Sequence, residues 1–197
     1  MAEWTNGAIC WNTLKPPSSQ WDKAVDIMGD QQERPVDKHF VAGVIVAEGC
    51  FGLDCHSHHG LKLRFGYAIR PKFCLQMHDA ATMKLICEEW DRLGLPIYYC
   101  DVPTGMRIEI QGCKRVKRVL DVFLPLLTGE KKSAAEVVRR FIALRFSKSP
   151  RAPYSREEME CVNEIRRINS PNSRYGKRMI DVSTGILRDL TPRAPTA

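Results

Sequence analysis

The sequence predicts an α+β domain in which helices and antiparallel hairpins alternate. Two pairs of extended stretches alternate apolar and polar residues with the period of half-buried strands, and each pair is joined by turn residues. Segments with apolar residues at helical spacing stand before, between and after these pairs, giving the order helix, hairpin, helix, hairpin, helix.

Residues 1–36 contain Trp4, Trp11, Trp21 and the turn pair Pro16-Pro17, and read as a loop-rich arm with one short helix near Asp22–Met28. Pro35 marks the entry to the first helix, and the Asp37 side chain can cap it. That helix is small and apolar, Val41-Ala42-Gly43-Val44-Ile45-Val46-Ala47-Glu48. Gly43 and Ala47, four residues apart, share a face that a second backbone can approach closely. Gly49 is expected to end the helix in the left-handed conformation. Glu48 is the odd residue, because a carboxylate in the last turn faces the negative end of the helix dipole, at a cost of roughly 0.3–1 kcal/mol when exposed. A neighbouring cation would explain it.

Phe51, Leu53 and Cys55 then alternate with Gly52, Asp54 and His56, and His58-His59-Gly60 makes a turn. A second extended stretch, Leu61–Met77, sets Phe73 and Leu75 on one face and Lys72, Cys74 and Gln76 on the other. Asp79 caps an amphipathic helix, Ala80–Leu93, which Gly94 closes. Ile97–Val102 and Met106–Gln111 form a hairpin around Pro103-Thr104-Gly105, with Met106, Ile108 and Ile110 pointing one way and Arg107, Glu109 and Gln111 the other. Helices follow at Lys114–Leu127 and Lys131–Phe146, the second with Ala135, Val138, Ile142 and Phe146 in helical register. Pro150 and Pro153 break the chain before a charged helix, Ser155–Ile168, and a polar basic tail. The organisation is thus an arm over 1–36, a core domain over 37–149, and a C-terminal helix with basic tail over 150–197.

The chain has 197 residues, a net charge of +7 and a pI near 9.1, which suits a polyanionic partner such as nucleic acid. Its eight cysteines include no Cys-x-x-Cys pair, and reduced thiols are expected. The N-terminus has neither a basic start nor an apolar run, so no secretory signal is expected. The apolar run at 41–47 is far too short to cross a membrane. The expectation is an intracellular protein, of a bacterial or phage cytoplasm or of an organelle. Cys55-His56-Ser57-His58-His59 invites a zinc reading, but no second ligand pair stands at zinc-like spacing.

The nonapeptide Val41–Gly49 resembles, position by position, the signature of the LAGLIDADG homing endonucleases. The resemblance extends over about Asp37–Phe146. It includes Gly66-Tyr67-Ala68-Ile69-Arg70-Pro71-Lys72-Phe73, similar to the family's second strand, and Leu124-Pro125-Leu126-Leu127 with Lys131-Lys132, similar to the segment ahead of its final helix. It implies the αββαββα fold, a curved antiparallel sheet backed by helices. It also implies a metal-dependent endonuclease that makes double-strand breaks in long, pseudo-palindromic DNA targets, carried by introns in this family. In the family the eighth signature residue, here Glu48, is the metal-binding catalytic acid, with Gly49 beside it at the metal. A single copy of the signature implies a homodimer built through Ala42, Gly43, Val46 and Ala47. The cofactor implied is Mg²⁺, with Mn²⁺ as a substitute and Ca²⁺ supporting binding without cleavage. The family places a lysine at the start of its final helix; counting from Pro125 puts Glu130 near that position with Lys131 and Lys132 just after, and Lys131 is favoured. A glutamine often follows the second strand; Met77 falls there with Gln76 adjacent. The sixth signature residue is usually acidic and is here Val46.

DNA reading is expected on the outward face of the sheet, whose alternate side chains can reach base edges in the major groove. The set is Asp54, His56, His58, Lys62, Arg64, Arg70, Lys72, Gln76, Arg107, Glu109 and Gln111, joined by Tyr99 and, from the tail, Arg174 and Lys177 as phosphate contacts. A solvated sheet face would have much the same composition, and Lys131 and Lys132 would equally well solvate a helix start. The rival reading is a non-cleaving nucleic-acid-binding protein on the same scaffold, an intron RNA-splicing maturase or a DNA-binding regulator.

Overall fold

The computed structural model describes residues 36–56, 67–97, 99–102, 105–149, 152–169 and 178–189. The N-terminal arm with its expected short helix, the His58-His59-Gly60 turn, and His58, Lys62, Arg64, Arg174 and Lys177 lie outside them.

Helix α1 (Lys38–Glu48) leads into β1 (Gly49–His56) and β2 (Ala68–Met77). Then come α2 (Ala80–Arg92), β3 (Tyr99–Val102), β4 (Gly105–Gln111), α3 (Cys113–Phe123) and α4 (Gly129–Phe146). The chain closes with α5 (Arg156–Asn169), β5 (Arg178–Asp181) and β6 (Ile186–Asp189). The first two hairpins join into one four-stranded sheet in the order β1-β2-β4-β3, with every neighbouring pair antiparallel. The αββαββα order expected from the sequence is therefore present, backed by helices.

Local chemistry explains the helix starts. The Asp37 carboxylate accepts from the His39 and Phe40 amides at 2.9 Å each, and Asp79 does the same for Ala81 and Thr82. Pro125 breaks the long helix expected over 114–127, so α3 ends at Phe123 and a single 3-10 turn, Leu124–Leu126, follows. The core lies between the sheet and the helices. Its centre is a run of rings from sheet to helix layer: Phe51 on Phe73 (centroids 4.9 Å apart), Phe73 on Trp90 (5.5 Å) and Trp90 on Phe123 (5.1 Å).

The C-terminal part shares this core. Met159, Cys161, Val162 and Ile165 of α5 are buried in the same cluster as the sheet residues. Where β4 has ended, the Ile69 amide of β2 finds the Tyr154 hydroxyl at 2.8 Å instead of a strand. The segment read as a polar tail holds a hairpin, β5–β6, that the sequence did not suggest. Asn163 clamps it by accepting from the Ile180 amide at 2.7 Å and donating to the Ile180 carbonyl at 2.8 Å.

Glu158 is fully buried and meets Arg145 at 3.2 Å, Lys148 at 3.0 Å and the Ser155 amide at 2.6 Å. Burial pushes its pKa up, but the Ser155 amide, Lys148 and Arg145 outweigh that and hold the carboxyl below the ordinary glutamate value. With the folded value depressed, the stability it supplies is complete above the ordinary value of 4.5 and is lost as pH falls through the lower folded value. The urea midpoint is therefore expected to fall on acidification below that point. Glu158→Gln should lower the midpoint at neutral pH and flatten this stretch of the profile; an unchanged profile in the variant would show that Glu158 does not set it.

Candidate active site and nucleic-acid interface

The C-terminus of α1 runs directly into the edge strand β1. Gly49 allows this turn, though not as expected: its φ of −72° is extended backbone, not left-handed. A Cβ there would stand 2.6 Å from the Ile45 carbonyl oxygen, so close approach, not handedness, demands glycine. Glu48 consequently stands exposed at the helix end, without an ion pair among the described residues.

An edge strand must place its outward carbonyls somewhere. On β1 they are taken by side chains of the helices behind. Lys131, in the first turn of α4, donates from Nζ to the Gly49 carbonyl at 2.6 Å, and Asn169, the last residue of α5, donates to the Phe51 carbonyl at 2.6 Å. Lys131 is thus fixed one residue from Glu48, while Glu130 and Lys132 on either side of it are exposed. Lys131 is docked on the Gly49 carbonyl and not on the Glu48 carboxylate. Gly49 is in register with Leu75, so Gln76 is next along β2, and Met77 pairs with Met106.

From this end the outward face of the sheet extends as rows. Asp54 stands opposite Arg70, Gly52 opposite Lys72 and then Gln111, Cys50 opposite Cys74 and then Glu109, and Gln76 opposite Arg107. The inner positions between them, Phe51, Leu53, Phe73, Leu75, Ile108 and Ile110, are buried. Asp54, His56, Arg70, Lys72, Gln76, Arg107, Glu109 and Gln111 therefore share one face by strand parity. Lys72 lies 3.3 Å from Asp54 and 3.2 Å from Glu109, and Arg107 lies 2.9 Å from Glu109. Burial works to lower the Lys72 pKa, and the Asp54 and Glu109 carboxylates overcome it and leave the value raised. For Glu109 burial raises the value, and Gln111, Lys72 and Arg107 overcome it to leave the carboxyl lowered. His56 is 3.9 Å from Asp54. Cys74, whose thiol accepts from Arg107 Nε at 3.0 Å, and Cys50 complete the face and were left out of the sequence-derived set, although their parity on the strands already placed them there.

Tyr99 is in register with Ile108, and Cys100 stands opposite Arg107. One expectation needs correction. Ala42 is 3% exposed and packs with Val41 and Ile45 in the chain's own core, so it belongs to the inner side of α1 and not to an open interface. Gly43 and Ala47 are exposed and Val46 half-buried; with Phe40, 44% exposed, Gly43, Val44 and Ala47 make an apolar stripe along the outer side of α1.

The donors present are hard oxygens, the Glu48 carboxylate and the Gly49 carbonyl, the kind Mg²⁺ prefers. Among the described residues no group of three or more His, Cys, Asp or Glu is placed to hold a metal.

No protein-family model and no curated protein matches the chain. Solved structures do. The homing endonuclease I-CvuI, determined in complex with its target in the presence of Ca, superposes with a TM-score of 0.54 at 16% identity, over 68% of this chain and 82% of that one. The homing endonuclease I-TnaI gives 0.53 at 16% identity over 73% and 92%. This is the LAGLIDADG homing-endonuclease fold. The LAGLIDADG homing endonuclease I-SmaMI, determined bound to cleaved DNA, gives 0.53 at 15% identity over 82% of this chain, which spans 52% of the length of I-SmaMI. Among the described residues no helix of this LAGLIDADG-fold chain is long and apolar enough to cross a membrane.

Proposed function

We propose that the chain is a site-specific, metal-dependent endodeoxyribonuclease that acts as a homodimer on long, pseudo-palindromic duplex DNA. The observation that carries this is the exposed Glu48 carboxylate at the foot of the reading face, with Lys131 fixed on the adjoining Gly49 carbonyl at 2.6 Å. An exposed acid with no partner would repel a phosphate in a protein that only binds; beside an anchored lysine it suits a metal and a phosphate together. Glu48 and the Gly49 carbonyl would hold the divalent ion, Mg²⁺ by their oxygen chemistry, and two chains would supply the two carboxylates of a complete centre. When bound, the ion would lower the pKa of its water and stabilise charge on the phosphate oxygens.

The chain's own residues do the rest. The sheet face binds the major groove, with Arg70, Lys72, Arg107, Gln111, Glu109 and Asp54 offering donors and acceptors to base edges. Lys131 places positive charge at the scissile phosphate, and Gln76, next to the register position of Gly49, orients water. Lys131→Met keeps the aliphatic stem and removes the donor. It is expected to slow single-turnover cleavage about a hundredfold, the scale of losing one preorganised donor, with duplex affinity little changed; Lys131→Arg should recover part of the rate. A lysine that only caps the β1 edge would instead lower thermal stability without changing the rate of the folded fraction.

The deciding experiment is cleavage of a randomised duplex library by the purified chain with Mg²⁺, with Mn²⁺ and with Ca²⁺. Discrete breaks with Mg²⁺ and Mn²⁺ and protected but intact duplex with Ca²⁺ are expected. Protection without breaks under every ion would favour the non-cleaving reading, a maturase or regulator, which Val46 and Met77 support by standing where polar side chains are usual in this fold family.

A further inference from the structure

We propose that Cys50 and Cys74 are a redox modification site, a cross-strand dithiol on the reading face that a low-molecular-weight disulfide closes to a disulfide bond, and whose closure weakens duplex binding. The two residues stand directly opposite each other on β1 and β2, in a register that runs unbroken from Gly49 opposite Leu75 to His56 opposite Ala68. Opposite residues put their side chains on the same face. Cys50 is exposed and Cys74 half-buried, both with free thiols. Among the described residues no other two cysteines face each other across a strand pair.

The hydrogen-bond phase of the ladder fixes their spacing. Pro71 has no amide to give β1, and its carbonyl accepts from Gly112 instead. Ile69 turns its amide to Tyr154, and on β1 the Gly49 and Phe51 carbonyls point outward to Lys131 and Asn169. The odd-numbered positions of both strands are therefore the non-hydrogen-bonded pairs. Cys50 with Cys74 is a hydrogen-bonded pair, whose Cα atoms in an antiparallel ladder lie about 5.5 Å apart. A disulfide spans roughly 4.4–6.8 Å between Cα atoms, so the strand spacing already suits the bond.

Arg107 donates from Nε to the Cys74 sulfur at 3.0 Å, and a cation at a partly exposed sulfur is the setting in which thiols attack. The Cys74 thiolate attacks one sulfur of the small disulfide, whose S–S bond breaks as a mixed disulfide forms and one small thiolate leaves. Cys50 then attacks the Cys74 sulfur, the second small thiolate leaves with the electron pair, and the Cys50–Cys74 bond forms. Two chain thiols are oxidised, the small disulfide is reduced to two thiols, and the two protons pass from the chain to the leaving thiolates. Closed, the bridge lies across β1 and β2 next to Gly49. It fixes two side chains that a groove otherwise displaces and removes both S–H donors. A duplex on this face covers both sulfurs, so binding and oxidation oppose each other by the same factor.

The effect on binding rests on the DNA-binding reading above, whereas closure of the dithiol is read without DNA. The reduced full chain is titrated with oxidised glutathione, its remaining thiols are alkylated, and it is digested. A linked pair of peptides holding Cys50 and Cys74, split by dithiothreitol, is expected. It should be absent from Cys50→Ser and from Cys74→Ser and present in Cys113→Ser. Duplex affinity of the oxidised wild-type chain should fall about tenfold or more and return with dithiothreitol, and saturating duplex should retard closure. In Cys50→Ser/Cys74→Ser the oxidant should leave the affinity where it was, whatever its starting value. Glutathione adducts at both cysteines without a linked peptide would overturn the proposal. So would a linked peptide with unchanged duplex affinity, or an equal loss of affinity in the double variant. A reduced wild-type chain that binds no duplex at low salt would remove the DNA-binding reading and the coupling with it, while the linked peptide still decides the dithiol.

Discussion

Glu48→Gln is expected to abolish cleavage, by about a thousandfold or more, while duplex affinity stays the same or tightens. The size follows from what the substitution removes. A neutral amide keeps the shape of the side chain but withdraws the charged oxygen that a hard divalent ion needs, and metal-assisted hydrolysis depends on that ion for both water activation and charge stabilisation. Loss of even one neutral preorganised donor typically costs 10²–10³ in rate, so loss of the metal ligand should cost at least that much. The affinity moves the other way because Glu48 is exposed and has no ion pair among the described residues, and without an ion it would repel a phosphate brought to it. Rate and affinity should therefore separate in a single experiment: single-turnover cleavage in Mg²⁺ and equilibrium binding in Ca²⁺, for wild type and variant. A Glu48→Gln chain that cuts at a comparable rate would remove Glu48 from the metal and leave the centre to be sought elsewhere. Loss of binding along with cleavage would mean that the side chain organises the end of α1.

How far the sequence disclosed this site depends on how local each feature is. The outward face was legible because strand parity is a property of neighbouring residues: once Phe51, Leu53, Phe73, Leu75, Ile108 and Ile110 are buried, their alternates must face out. The caps at Asp37 and Asp79 were legible for the same reason. The phase of β3 was not, because it is only four residues long and its register is set by pairing with β4, not by its own pattern. Gly49 was placed correctly but explained wrongly; glycine signals equally a positive φ or a close approach, and only the 2.6 Å distance to the Ile45 carbonyl separates them. The hairpin β5–β6 was invisible because what holds it, the Asn163 clamp and the burial of Ile180, comes from residues well outside the hairpin. Lys131 lies between these cases. Its place near the motif followed from the family resemblance, but its partner, the Gly49 carbonyl, is 82 residues away and follows only from β1 being an edge strand.

Gly43→Leu is expected to disperse the proposed homodimer and with it the proposed double-strand cleavage, while leaving the single chain as stable as before or more so. Glycine inside a helix costs about 1 kcal/mol relative to alanine, and evolution or chance must account for it. The chain's own packing does not: a Cβ at Gly43 meets nothing within 4 Å, and no positive φ is involved. Gly49, by contrast, has its reason inside the chain. What Gly43 shares is an apolar stripe with the exposed Phe40 and Ala47 and the half-buried Val44, along the side of α1 away from Val41, Ala42 and Ile45. If two copies of α1 meet along this stripe about a two-fold axis, each Gly43 lets the partner backbone approach, and a leucine there forces the helices apart. The two Glu48 carboxylates at the helix ends would separate with them. The readings are sedimentation and thermal unfolding over a concentration series. Wild type should be dimeric at micromolar concentration, with a Tm that rises with concentration, because association stabilises the folded chain. Gly43→Leu should be monomeric, with a Tm independent of concentration, and should bind half-sites weakly without cutting both strands. A monomeric wild type, or a leucine variant that remains a dimer, would move the interface off α1 and leave the exposed stripe to some other contact. The stability arm guards the interpretation: a destabilised leucine monomer would mean that Gly43 serves its own chain, against the open space above it.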